Sequence, residues 1–207
     1  MKPVVLALTV AVAMVHWWAC ARRRDDVGRW TKPLATIGVI GIALVSGAPS
    51  DEVTLAVIAL SLCLVGDIAL MQPFDRFVIG LSAFLAGHVV FILLFANYGF
   101  DAPVAAGLAL VAAGLLVATV GAVIVKAATH QDRALRGPVL TYLCVICAMA
   151  AAGWFTGAPW VIAGSTLFVV SDSILGWRRF VRAQPWMDVA VMVTYHLAIG
   201  SLALSLW

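Results

Sequence analysis

Residues 52–72 read EVTLAVIALSLCLVGDIALMQ, and this stretch decides the class of fold. It carries no charge between Glu52 and Asp67, and as a helix it is long enough to cross a bilayer core of about 30 Å. The whole chain has this character, since 64% of its 207 residues are hydrophobic and 11% are charged; soluble domains have about 25% charged residues. The composition excludes a soluble enzyme, a disordered tail and a nucleic-acid-binding protein. It predicts a polytopic membrane protein.

The eight prolines fall at the ends of apolar runs and divide the chain into helices. Proline suits a first helical turn or a loop and disrupts a helix interior. We therefore predict an all-α fold in which residues 1–207 form a single integral membrane domain. The eight predicted transmembrane helices cover about 3–21, 32–48, 52–72, 76–97, 103–126, 138–153, 159–176 and 185–206.

Basic residues mark one side of this predicted bundle. Every lysine and arginine except Lys2 lies in or beside the connections that follow the odd-numbered helices. Short loops rich in Lys and Arg remain in the cytoplasm. We therefore predict that both termini lie outside, in a membrane of the bacterial inner or plasma membrane type. The net charge of +3 then reflects topology rather than a nucleic-acid partner.

Three acids, Asp67, Asp172 and Asp188, lie within apolar runs. An ionisable residue in such a run costs about 2.5–3.5 kcal/mol and usually faces a cavity or a partner. The helical rise places Asp67 and Asp172 roughly 7 Å inside the cytoplasmic ends of predicted helices 3 and 7, and His88 roughly 18 Å inside helix 4. We predict that they share a polar pocket open to the cytoplasm. Asp188 at the start of helix 8 belongs to the pocket or caps that helix.

Further polar residues belong to this set: Lys32, Tyr142, His16, Tyr195 and His196. Lys32 has a second interpretation as a topology charge, and His88 as a core histidine. Residues 64–70 (LVGDIAL) and 169–175 (VVSDSIL) share the pattern V-small-D-x-x-L, four helices apart. This similarity suggests two parallel four-helix halves. The glycines of helices 4 and 5, spaced seven residues apart, are expected to permit close helix contact; they are Gly80, Gly87, Gly107, Gly114 and Gly121.

Two groups of motifs have a distinctive spacing. The first is Gly66-Asp67, Leu70-Met71, Phe77, Gly80-Leu81, Phe84 and Gly87-His88; the second is Pro138, Tyr142, Gly164, Phe168, Ser171-Asp172 and Phe180. Together with Lys32-Pro33 and Tyr195, they resemble the YhhN/TMEM86 family of lysoplasmalogenases over about residues 32–200. Ile199 departs from the family pattern, which often has glutamine there.

The resemblance implies an eight-helix membrane hydrolase without a cofactor. Such enzymes cleave the vinyl ether bond of lysoplasmalogens, which are lysophospholipids of the membrane, to a fatty aldehyde and glycerophospho-ethanolamine or -choline. We assign catalytic roles to Asp67, Asp172 and His88. Substrate-binding roles are assigned to Lys32, Tyr142, Ser171, Asp188 and Tyr195.

The two aspartates suit this chemistry because one neutral acid and one carboxylate can divide the work, as in glycoside hydrolysis. The sequence leaves open which of them is the acid. Two other functions stay open as well. A proton-coupled or small-molecule transporter would use the same intramembrane acids. A metal-dependent lipid hydrolase could draw ligands from Asp67, Asp172 and His88, although we expect no metal.

Overall fold

The computed structural model describes residues 1–207 as eight long helices without a strand. The helices are α1 (Lys2–Ala21), α2 (Asp25–Leu44), α3 (Ser50–Leu70), α4 (Phe77–Asn97), α5 (Pro103–Gln131), α6 (Arg136–Phe155), α7 (Pro159–Phe180) and α8 (Met187–Leu204). Within α5, residues Val117–Gly121 form a π-helical turn. The prediction of eight helices is confirmed, while the division into two parallel halves stays a prediction.

The predicted start of the second helix, at residue 32, was wrong. α2 begins at Asp25 and ends at Leu44, so that Pro33 lies inside it. Asp25 and Asp26 occupy the first turn, where negative charge is favoured by the helix dipole. Pro33 removes the N–H that would otherwise bond to the carbonyl of Arg29, and helices in membranes tolerate such a break where neighbouring groups compensate.

Two other helices extend further than their apolar runs. α5 continues to Gln131 rather than 126, and α7 continues to Phe180 rather than 176. Arg178 and Arg179 therefore form the last turn of α7 instead of a loop. Positive charge is favoured at a helix C-terminus, so these basic residues prolong the helix that they were expected to end.

The outer surface of the bundle is apolar. Seven helices are long and apolar enough to cross a membrane; α2 is the exception, with four charged residues in its first half. Large side chains such as Leu8 on α1 and Val104, Leu108 and Val111 on α5 are exposed, Val104 to 78%. Such a surface is stable in contact with lipid and not with water. The chain is an integral membrane protein, and the orientation of its termini stays a prediction.

Six of the eight helices form a ring, and the centre of this ring is open at one end of the bundle. Along this ring α2 packs on α3, α3 on α4, α4 on α6, α6 on α7, α7 on α8, and α8 on α2. α1 packs outside α2 and α8, and α5 packs outside α6 and α7. We call the end of the bundle with the α1–α2, α3–α4, α5–α6 and α7–α8 connections the basic side.

Glycines allow several of these helices to approach closely. A Cβ on Gly66 would lie 2.5 Å from the ring of Phe84, and one on Gly87 would lie 3.2 Å from the carbonyl oxygen of Ala59. The expectation of close contact is therefore right for α4. On α5 it is right for Gly121, where a Cβ would clash with the side chain of Leu143, and wrong for Gly107 and Gly114, which have open space around them.

Candidate active site

A polar cavity of about 460 Å³ opens at the basic side, and we call it the vestibule. Its walls come from α1, α2, α3, α4, α7 and α8. Nine charged side chains line it: Arg23, Arg24, Asp25, Arg29, Lys32, Asp67, Asp172, Arg178 and Asp188. The vestibule is therefore a charged, water-accessible chamber inside an otherwise apolar bundle.

Asp67 of α3 forms one side of the vestibule and is the most enclosed acid of the site. Its side chain is 1% exposed and lies 3.2 Å from Nζ of Lys32 on α2. Hydroxyl groups of Thr36 and Tyr195 donate to Oδ2 of Asp67 at 2.7 and 2.8 Å. The carboxylate thus has a counter-charge and two donors, which a buried charge requires.

Asp172 of α7 forms a second group with residues of α4 and α6. The hydroxyl of Tyr142 donates to Oδ2 of Asp172, and Nε2 of His88 lies 3.0 Å from the same hydroxyl and 3.8 Å from Oδ2. Since Tyr142 has one proton to give, His88 donates through Nε2. Nδ1 of His88 is buried without a hydrogen-bond partner.

Three aromatic rings pack together beside the vestibule. Phe84, Phe168 and Tyr195 pack edge to face, with ring centroids 5.6–6.3 Å apart. These rings come from α4, α7 and α8, and α8 packs against both α3 and α7. Asp67 and Asp172 therefore face the same vestibule from separate groups of partners.

A second cavity adjoins the vestibule and is almost entirely apolar. It holds about 60 Å³ and lies among α3, α4, α5, α6 and α7. Four residues line both spaces: Leu70, Phe84, Asp172 and Leu175. Asp172 is the one acid among them and is 13% exposed, so its carboxyl lies where the polar chamber meets the apolar one.

The mouth of the vestibule carries further charge. Asp188, at the start of α8, lies 2.5 Å from Arg178 of α7, and the two side chains are 43% and 39% exposed. Exposed pairs of this kind contribute about 0–1 kcal/mol to stability. Asp188 thus lines the vestibule and also lies in the first turn of α8, where it makes no side-chain capping hydrogen bond.

Of the remaining predicted residues, Ser171 and His16 line the vestibule and His196 does not. Ser171 lines the vestibule, but its hydroxyl donates to the carbonyl oxygen of Val191 and joins α7 to α8. His196 lies outside the vestibule lining and accepts a hydrogen bond from Nε1 of Trp17 at 3.0 Å. His16 is buried and lines the vestibule.

Thr36 is the residue of this site that the sequence did not reveal. It is fully buried and joins Asp67 to α2. It lies one turn after Lys32 on the same helix face, and both residues meet the same carboxylate; no signal in the sequence alone marks this role.

The proposed metal ligands do not converge. His88 approaches Asp172, whereas Asp67 is held in the other group by Lys32. No group of three or more His, Cys, Asp or Glu side chains in the chain is arranged to hold a metal ion. The donor set of a metal-dependent hydrolase is thus not assembled from Asp67, Asp172 and His88.

Comparison with known proteins gives two matches. The model of the YhhN family matches residues 27–206, which confirms the resemblance seen in the sequence motifs. The chain is similar to lysoplasmalogenase TMEM86B of Rattus norvegicus, with 30% identity over 152 residues. That match covers 71% of this chain and 59% of the rat protein, so the chain spans about three-fifths of its relative. No solved structure matches.

Proposed function

Since the chain belongs to the YhhN family, we propose that it hydrolyses the vinyl ether bond of a lysophospholipid. The products would be a fatty aldehyde and a glycerophosphoryl alcohol. One observation carries the proposal: the carboxyl of Asp172 lies at the junction of a charged chamber and an apolar cavity. A lyso ether lipid is divided in the same way, with a charged head, a hydrocarbon chain and the scissile bond between them.

The chemistry of the bond favours Asp172 as the acid. A vinyl ether is protonated at the alkene carbon remote from the ether oxygen, which is the carbon on the chain side. A substrate with its chain in the apolar cavity presents that carbon to the boundary where Asp172 lies. A proton transferred from Asp172 forms a new C–H bond and leaves an oxocarbenium ion at the carbon next to oxygen.

Water from the vestibule then attacks the oxocarbenium carbon. The hemiacetal that forms loses the glycerol oxygen as an alcohol and becomes an aldehyde, so that one water is consumed for each bond broken. The attacking water releases one proton, which returns to Asp172 and restores the acid. The vestibule supplies this water because it opens at the basic side.

Asp67 is suited to remain ionised through the cycle. Lys32 provides the opposite charge at 3.2 Å, and Oδ1 receives no other donor than that ammonium group. The lone pair left on Oδ1 can accept a hydrogen bond from the attacking water, or stabilise positive charge that develops nearby. Tyr195 and Thr36 fix the orientation of this carboxylate.

Tyr142 and His88 are positioning residues for Asp172 in this scheme. The chain of hydrogen bonds from His88 through Tyr142 to Asp172 holds the carboxyl at the cavity boundary. Such support limits the movement of the reacting carboxyl group, and catalysis depends strongly on the precise position of such groups.

The vestibule also suits the head group of a lysophospholipid. Arg23, Arg29 and Arg178 line its outer part and can pair with a phosphate. Asp25 and Asp188 lie among them and can pair with the positively charged ammonium group of an ethanolamine or choline head. With the predicted topology, the head group would enter from the cytoplasmic side.

The test is aldehyde release by the purified protein from a lysoplasmalogen in detergent micelles or vesicles. We expect release by the wild type and its loss in Asp172→Asn and Asp67→Asn. Asp51→Asn is the matched control, since Asp51 lies in the first turn of α3, at the end opposite Asp67. A folded wild type that releases no aldehyde would refute the proposal. Solute flux across vesicles without chemical conversion would instead support the transporter alternative.

A further inference from the structure

We infer that the hydrocarbon chain of the substrate leaves the protein sideways, through a cleft between α4 and α5, into the surrounding bilayer. The inference rests on the proposed function, because it concerns the chain of the same lysophospholipid. It assigns a role to the cleft that neither the catalytic groups nor the head-group region requires.

The size of the apolar cavity is the first reason. It holds about 60 Å³, which is less than half of the cavity of about 150 Å³ that is known to bind one benzene molecule. Only the first few carbons beyond the vinyl ether can therefore lie inside it. The rest of a fatty chain must lie outside the cavity, and burial in an apolar medium is strongly favoured over exposure to water.

The helix arrangement is the second reason. Both α4 and α5 line the apolar cavity, through Leu81 and Val120 among others. They are not among the helix pairs that pack together, since each packs on α6. α6 thus forms the back of a cleft whose two sides are α4 and α5. Leu81 and Val120 are half-buried, as expected for residues at its opening.

The third reason is that the apolar cavity is closed toward the basic side. Toward the basic side, the rings of Phe77 and Phe180 meet edge to face with centroids 5.2 Å apart. The guanidinium of Arg179 lies over Phe77 at 5.3 Å and is paired with Asp75 at 3.1 Å. This group separates the apolar cavity from the aqueous face, so a chain that extends beyond the cavity meets lipid first.

The inference has a consequence for substrate selection. Carbons near the vinyl ether lie in an enclosed space, where one methylene changes binding by about 1–3 kcal/mol, or about tenfold and more. Carbons further along lie in lipid and contribute little to selection. We expect the enzyme to accept long chains of any length, while discriminating against branching close to the ether.

The experiment compares Val120→Trp with Val123→Trp on two substrates, one with a propenyl chain and one with a hexadecenyl chain. Val123 is exposed on the same helix and does not line the cavity. An indole at position 120 should obstruct the cleft and lower kcat/KM for the hexadecenyl substrate by about tenfold relative to the propenyl substrate. Val123→Trp should leave that ratio unchanged. Leu81→Trp tests the opposite side of the cleft, and activity on the propenyl substrate shows that each variant is folded.

An equal loss on both substrates, or no loss on either, would overturn the inference while leaving the proposed hydrolysis intact. A wild type inactive on both substrates would refute the hydrolysis itself. A second readout is independent of turnover: a saturated lyso ether lipid with a photoreactive diazirine in mid-chain should label α4 and α5 or neighbouring lipid. Labelling confined to α1 and α2, which line the vestibule, would overturn the route.

Discussion

Replacing Lys32 with methionine should destabilise the protein more than replacing Asp67 with asparagine, although the two residues form one ion pair. The reason is the unequal exposure of the partners. The side chain of Asp67 is 1% exposed and that of Lys32 is 12% exposed. In Lys32→Met the carboxylate stays buried with two hydroxyl donors and no counter-charge. In Asp67→Asn the ammonium group lines the vestibule and can be hydrated there.

The magnitudes follow from these environments. Removing one partner of a buried pair costs about 3–5 kcal/mol when the remaining charge is uncompensated, which is the case for Lys32→Met. Asp67→Asn keeps an acceptor for both hydroxyls and loses charge-assisted hydrogen bonding, worth about 1.5–3 kcal/mol. At about 2–4 °C per kcal/mol for a chain of this size, the Lys32 variant should melt several degrees lower.

The assay is thermal unfolding in detergent, followed by intrinsic tryptophan fluorescence, for the two single variants and the double variant Lys32→Met/Asp67→Asn. The double variant contains no buried charge at this position and should recover part of the stability lost in Lys32→Met. We expect a coupling energy of about 1–3 kcal/mol for residues in direct contact. An Asp67→Asn protein that melts below Lys32→Met, or a double variant whose losses simply add, would refute the reasoning.

Three further predictions concern the other parts of the structure. Tyr142→Phe should lower kcat about tenfold to a hundredfold with little change in melting temperature, because it breaks the link from His88 to Asp172; an unchanged kcat would remove Tyr142 from the site. Gly66→Ala should destabilise the fold by about 1–3 kcal/mol through overpacking, whereas Gly107→Ala should not, because it has open space; equal melting temperatures would contradict the close packing of α3 on α4. A C-terminal alkaline phosphatase fusion should be active when the protein is made in a bacterium, since both termini are predicted to lie outside the cytoplasm. An inactive fusion in a correctly inserted protein would contradict the predicted orientation.

The eight helices could be predicted because length and apolar character are properties of a single segment. The run that ends near Asp67 shows this, as no other element is needed to identify it as a helix. The start of α2 could not be predicted in the same way. Asp25 to Lys32 is rich in charge, and what keeps it helical is its position at the vestibule, where its charged residues find water and partners.

The hydroxyl of Thr36 was overlooked for a related reason. A threonine in an apolar helix usually bonds to the carbonyl four residues earlier, as Thr9, Thr129 and Thr194 do here. Thr36 instead donates to Asp67 on a neighbouring helix. Only the packing of α2 on α3 distinguishes it from the others, and helix adjacency is not written in the sequence of either helix.

The two aspartates have separate partners, and this separation suits the proposed reaction in a way that the analogy with glycoside hydrolysis did not suggest. Two carboxyls in contact would share one proton and one environment, whereas Asp67 and Asp172 have different hydrogen-bond and ion-pair partners. The proton in vinyl ether hydrolysis goes to a carbon on the chain side, and the water comes from the head-group side. In the proposed hydrolysis, an acid at the apolar boundary and an ionised carboxylate in the polar chamber would match that division, because each group would lie where its own step takes place.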